Sequence, residues 1–240
     1  MDAVYRLRTF GANFTMHARD GGVEADGEQG LPSHEVELRG DAAVVPGLGG
    51  QVVRFSGGDA TVTGVADFTG GRTFTVIALF RATPTGAYQR VAGRVNGGTE
   101  VSLGIDREGR LQATVGSARG GYRETLTGTS VVADGQWHAV ALMGLPRIFN
   151  GLALTLMVDD REERTGSISP GLFGTSPDYT MTTPVVVGRT ADTTAPLQGE
   201  VAAVAGADRA WTMESTTALL AQDMRGASGA GFVGWGVPVV

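Results

Sequence analysis

Apolar and polar residues alternate in short runs along most of the chain, and Gly, Pro, Asn or Asp interrupts nearly every run. A two-residue period is what a strand with one face in a core requires, and frequent turn residues between such runs predict an all-β sandwich or barrel. The clearest run spans 73–81. There Phe74, Val76, Ala78 and Phe80 share one face while Thr75, Ile77 and Leu79 share the other. Both faces are therefore largely apolar, and the strand is predicted to be central. Further strands are predicted at 51–55, 61–65, 90–95, 100–105, 110–115, 122–126, 137–142, 152–158, 184–188 and 200–205, giving about eleven in all, as a two-sheet sandwich needs.

Between Ile105 and Leu111 the sequence Asp106-Arg107-Glu108-Gly109-Arg110 predicts a tight hairpin, with Gly109 free to take a positive φ. One helix is predicted near the C-terminus. Thr212 caps it, Glu214 stands in its first turn, Met213, Thr217, Leu220 and Met224 recur at helical spacing, and Gly226 ends it. Residues 1–225 thus form one domain. The remaining stretch, 226–240, is Gly-rich yet carries Phe232, Trp235, Val237 and Val239. We expect it to dock on a neighbouring subunit or, alternatively, to cover an edge of its own sandwich.

Composition narrows the chemistry. All 19 basic residues are Arg, set against 25 acidic ones for a net charge of -6, and there is no Cys. Disulfides, thiolate zinc sites and a Cys nucleophile are excluded. An acidic chain with scattered Arg lacks the clustered basic face that nucleic acid calls for, and no apolar stretch is long enough to span a membrane as a helix. The N-terminal residues show no secretory leader pattern. An apolar fraction of 42% supports a buried core despite 38 Gly.

Six ordered segments resemble the concanavalin A-like jelly roll, specifically its laminin G-like form in bacteria and phages. Gly49-Gly50-Gln51-Val52-Val53-Arg54-Phe55-Ser56-Gly57-Gly58 is similar to that family's first core strand, and Phe74-Thr75-Val76-Ile77-Ala78-Leu79-Phe80-Arg81 to a central one. Asp134-Gly135-Gln136-Trp137-His138-Ala139-Val140-Ala141, then Leu154-Thr155-Leu156-Met157-Val158-Asp159-Asp160, resemble a turn-and-strand pair of the family. Val187-Gly188-Arg189 and Leu197-Gln198-Gly199-Glu200-Val201 are similar to closing strands, and Trp211-Thr212 to the start of a terminal helix. The resemblance covers 44–224 and implies an antiparallel two-sheet sandwich with Phe55, Phe74 and Trp137 in its core. His138 should then face away from Trp137 as a surface or hydrogen-bonded residue. Where many such domains carry a calcium-ligating acid this chain has Ala202, so no metal is expected there. Asp20, Asp26 and Glu28 read as a solvated acidic loop, with weak binding of a cation as the alternative.

Glu24-Ala25-Asp26-Gly27-Glu28 matches the Glu-x-Asp-x-Glu pattern of jelly-roll glycoside hydrolases, but its Gly-rich surroundings predict a loop, and alternate carboxylates on one strand are what that chemistry requires. No nucleophile elbow or phosphate loop is present in the sequence. The expectation is a non-enzymatic protein without cofactors: a structural or adhesive component of a phage particle, at the tail or capsid surface. It would be made in the host cytoplasm, assemble with other virion proteins as a homo-oligomer, and touch host-surface glycan. The alternative is a free-standing, extracellular carbohydrate-binding module or lectin, with Tyr88, Tyr122 and Tyr179 as stacking platforms; a jelly-roll glycoside hydrolase is the remote alternative.

Overall fold

The computed structural model describes residues 14–19, 22–27, 34–48, 50–70, 72–159, 161–189 and 195–211. Sixteen strands follow in chain order. The first eight are β1 (Phe14–Arg19), β2 (Gly22–Gly27), β3 (Glu35–Arg39), β4 (Ala43–Gly47), β5 (Gly50–Phe55), β6 (Asp59–Thr63), β7 (Phe74–Ala82) and β8 (Gln89–Asn96). The others are β9 (Thr99–Ile105), β10 (Arg110–Ser117), β11 (Tyr122–Val131), β12 (Trp137–Pro146), β13 (Leu152–Val158), β14 (Arg161–Ile168), β15 (Val185–Val187) and β16 (Gly199–Ala207).

They form two antiparallel sheets. One runs β14-β13-β12-β7-β16-β1-β2, with β5 also pairing β16 and β4 pairing β5; the other runs β11-β10-β9-β8-β15-β6-β3. This is the two-sheet sandwich that the alternation predicted, in the jelly-roll form that the resemblance implied. β7 lies between β12 and β16 and is buried along almost its whole length, as its two apolar faces require. Gly109 takes φ +84° in the β9–β10 hairpin, where the Asp106 carboxylate accepts the amides of Glu108 and Arg110 at 3.0 and 2.8 Å.

The core between the sheets contains Phe55 and Phe74 together with Phe80, Leu103, Leu142 and Leu156. The outer face of the first sheet carries a second apolar cluster, which includes Ile77, Ala139, Ala141, Met157, Ala205 and Trp211. Trp137, expected in the core, is half-buried beside this second cluster. The alternation of β12 decides it: Val140 and Leu142 point into the sandwich, so 137, 139 and 141 point out of it.

One segment expected as a loop is a strand. Residues 22–27 pair with β1 as a hairpin, and Ala25 is packed into the core. Asp26 is therefore a buried strand residue and not part of a solvated loop. β1, β3, β4 and β14 are likewise strands outside the predicted set. The predicted helix, the tail residues Phe232, Trp235, Val237 and Val239, and Asp20 and Glu28 lie outside the described residues.

At the open edge Glu163 of β14 reaches across to β11, accepting the backbone amides of Thr129 and Ser130 and both hydroxyls at 2.5–3.0 Å. Burial works against its charge, yet these four donors hold its carboxyl down at about 2.

Candidate functional site

The outer face of the second sheet carries one uninterrupted cross-strand row. Thr61 of β6 pairs with Glu37 of β3 on one side and with Val186 of β15 on the other. Val186 pairs with Gly93, Gly93 with Ser102, Ser102 with Thr114, and Thr114 with Thr125. The row faces outward because its strand neighbours Val62, Val187, Ala92, Leu103, Ala113 and Leu126 fill the core. From Thr61 to Thr125 every member is small, and longer flanking side chains stand over the row: Thr61, Gly93, Ser102 and Thr114 are buried, Thr125 is exposed, and the half-buried Val186 forms the accessible floor of a trough. Gly93 leaves room for its neighbour at the middle of the row: a Cβ there would meet Ser102 at 2.6 Å.

On the β3 side the trough widens into a groove of about 710 Å³, lined by Arg39, Asp59, Thr63, Val95, Pro184 and Arg189 among others. Arg39 is held by Glu37 at 2.5 Å, and that contact keeps the Glu37 carboxyl below its ordinary value.

On the β11 side Glu100 gathers three donors: Arg90 at 2.9 Å, Arg123 at 2.8 Å and the Ser102 hydroxyl at 2.8 Å. Arg90 and Glu100 are buried, while Arg123 is 58% exposed and can turn toward a ligand. Tyr88 lies over Gly104 with its hydroxyl within hydrogen-bonding reach of Ser102 and Arg90, and burial pushes its phenol pKa up.

Of the three tyrosines that the sequence suggests as platforms, Tyr88 alone stands on this face, and it is half-buried. Tyr122 packs against the core from the sandwich edge. Tyr179 is not exposed at all: its ring is in the core and burial pushes its phenol to about 12. Three contacts pull that loop inward. Thr69 donates to the Tyr179 carbonyl at 2.6 Å, the Met181 amide donates to Asp67 at 3.3 Å, and Arg94 donates to the Met181 carbonyl at 3.0 Å. The Thr and Ser residues of the row are what sequence reasoning missed. Each is ordinary alone, and only strand register lines them up.

The opposite sheet has a different polar row on its outer face. Trp137, Arg81, Glu200 and Arg54 are directly paired neighbours across β12, β7, β16 and β5. The Arg81 guanidinium lies 5.5 Å from the Trp137 ring centroid and bonds Glu200 at 2.8 Å, while Arg54 bonds the other oxygen at 2.9 Å. Burial opposes the Glu200 charge, but the two guanidinium groups outweigh it and hold the carboxyl below its ordinary value. The row borders a recess of about 400 Å³. Ala202, on β16 nearby, brings only a methyl.

His138 bridges two carboxylates, its Nδ1 lying 3.1 Å from Asp159 and its Nε2 3.1 Å from Asp134.

Two comparisons with known proteins bear on this arrangement. The binding domain of Paraclostridial Mosquitocidal Protein 1 superposes with a TM-score of 0.70 at 10% identity, over 89% of this chain and 52% of that one. The binding domain of botulinum neurotoxin serotype D gives 0.67 at 10% identity, over 93% and 53%. Botulinum neurotoxin type C, which interacts with two ganglioside molecules, gives 0.64 at 12% identity, over 91% and 52%. The chain spans about half the length of these structures, and at such identities the likeness is one of fold. Among curated proteins nothing matches. The sequence profile of the concanavalin A-like lectin/glucanases superfamily matches residues 55–215, more than half of the chain. With the sandwich and the profile in agreement, the chain belongs to the concanavalin A-like lectin/glucanase superfamily.

Proposed function

We propose that the protein is a non-enzymatic glycan-binding module that holds its ligand along the outer face of the second sheet. The observation that carries this reading is the row from Thr61 through Val186, Gly93, Ser102 and Thr114 to Thr125. The small residues under the groove let a sugar ring approach the sheet at Val186, and Arg39, Asp59 and Arg189 along its margin, with the exposed Arg123 farther along the row, offer hydrogen bonds to ring hydroxyls.

Hydrolysis fits this face poorly. Cleaving a glycosidic bond takes one protonated and one ionised carboxyl across the bond. Here Glu37 is tied to Arg39, and Glu100 to two Arg. Pairing with Arg39 favours the charged form of Glu37, the wrong state for a general acid.

Placement on a phage particle, at its tail or capsid surface, completes the reading and rests on the sequence resemblance alone. Many copies on one particle would raise weak single-site binding through avidity. Mass spectrometry of purified particles tests the placement.

The binding face is tested with a glycan array and titration calorimetry on the full chain and on Val186→Trp, which fills the trough. The expected result is binding in the millimolar to micromolar range, weakened at least about tenfold in the variant at unchanged Tm. A blank array at high protein concentration, or binding that Val186→Trp leaves intact, overturns it.

A further inference from the structure

We infer that His17, Glu24 and Asp26 bind one divalent transition-metal ion on the β1–β2 hairpin. In the ladder His17 stands directly opposite Glu24, and Asp26 opposite Thr15. Strand alternation puts these residues on one face of the hairpin, away from Met16 and Ala25, which enter the core. The His17 Nε2 lies 4.0 Å from Glu24 Oε2 and its Nδ1 3.8 Å from Asp26 Oδ2. One ligand atom from each residue can be chosen such that all lie within 4.8 Å of one another. An ion about 2.0–2.2 Å from nitrogen and oxygen draws such atoms together by small side-chain rotations.

Burial divides the labour among the three. The side chains of His17 and Asp26 are 3% and 7% exposed, so the hairpin and its surroundings hold them in place. Glu24 is 52% exposed and leaves a side open through which a hydrated ion can enter. One imidazole nitrogen and two carboxylate oxygens are the donor set that a divalent transition metal takes.

The ligand set selects the ion. Imidazole with carboxylates suits zinc, manganese or iron, whereas calcium takes six to eight oxygens. The site stands on the other sheet from the glycan trough, so neither reading depends on the other.

The test uses the full chain freed of metal with a chelator. Calorimetry with Zn²⁺, Mn²⁺ and Ca²⁺ should show one Zn²⁺ or Mn²⁺ per chain and no comparable Ca²⁺ binding. Glu24→Gln, at the exposed ligand, should keep the fold and weaken affinity at least about tenfold. His17→Gln should abolish binding, and Co²⁺ absorption bands present in the wild type should be lost with it, a readout that does not depend on affinity. A wild type that binds no ion at millimolar concentration overturns the inference. So does binding that both variants leave intact, or a preference for Ca²⁺.

Discussion

The Tyr88 phenol fills the space where a side chain at residue 104 would stand: a methyl built on Gly104 would overlap both its hydroxyl and its ring. Glycine at 104 therefore sets the position of the Tyr88 ring on the trough face.

Gly104→Ala should displace Tyr88 and destabilise the protein by about 1–3 kcal/mol, the usual range for overpacking. Urea denaturation measures it. The double variant with Tyr88→Ala should recover part of the loss, because the clash is shared by the two residues. A double variant as unstable as the sum of the single ones would show that Tyr88 is not what the methyl meets.

Arg94 is buried on the core side of β8 with its guanidinium 5.0 Å from the Phe68 ring centroid. It donates to the carbonyls of Ala66 and Met181, each at 3.0 Å, and to that of Val65. Burial pulls its pKa down to about 10 even with Asp67 nearby. Arg94→Met keeps the aliphatic bulk and leaves three carbonyls without this donor, so stability should fall by about 3 kcal/mol at roughly 1 kcal/mol each. An unchanged or raised Tm would mean that desolvating the cation costs as much as its bonds return.

His138 gives stability a dependence on pH. Burial lowers its pKa, but the hydrogen bonds and charges of Asp159 and then Asp134 outweigh that, leaving it above the ordinary value. A group raised on folding contributes its full stabilisation below its unfolded pKa of about 6.5 and loses it as pH climbs through the folded value. Denaturant midpoints measured across neutral pH should therefore fall on the alkaline side. His138→Gln should flatten that decline, and a decline that survives the substitution would assign it to another group.

Strand existence was legible wherever a strand is flanked by others and apolar, as at 73–81 or 152–158. Of the edge strands β11 was legible, but β2, β3, β4 and β14 were not. β14, Arg-Glu-Glu-Arg-Thr-Gly-Ser-Ile, is polar because one side meets solvent, and β2 is Gly-rich and carries two acids, of which Asp26 is buried. Side-chain direction was the other gap. Trp137 was placed inward on size and Tyr179 outward on its Pro- and Gly-rich surroundings, yet β12 alternation turns the first out and three loop contacts draw the second in. The trough could not be read from sequence at all, since its residues come from separate strands and only register unites them.

The place of β16 has a kinetic consequence. It joins β7 to β1 and also holds β5, although residues 199–207 are synthesised long after all three. Until they leave the ribosome the first sheet is split, with one edge of β1 and one edge of β7 unpaired. Folding must then wait for distant partners to meet, a high-contact-order search that is slow. During that wait the open β7 edge is the surface at which nascent chains would associate wrongly.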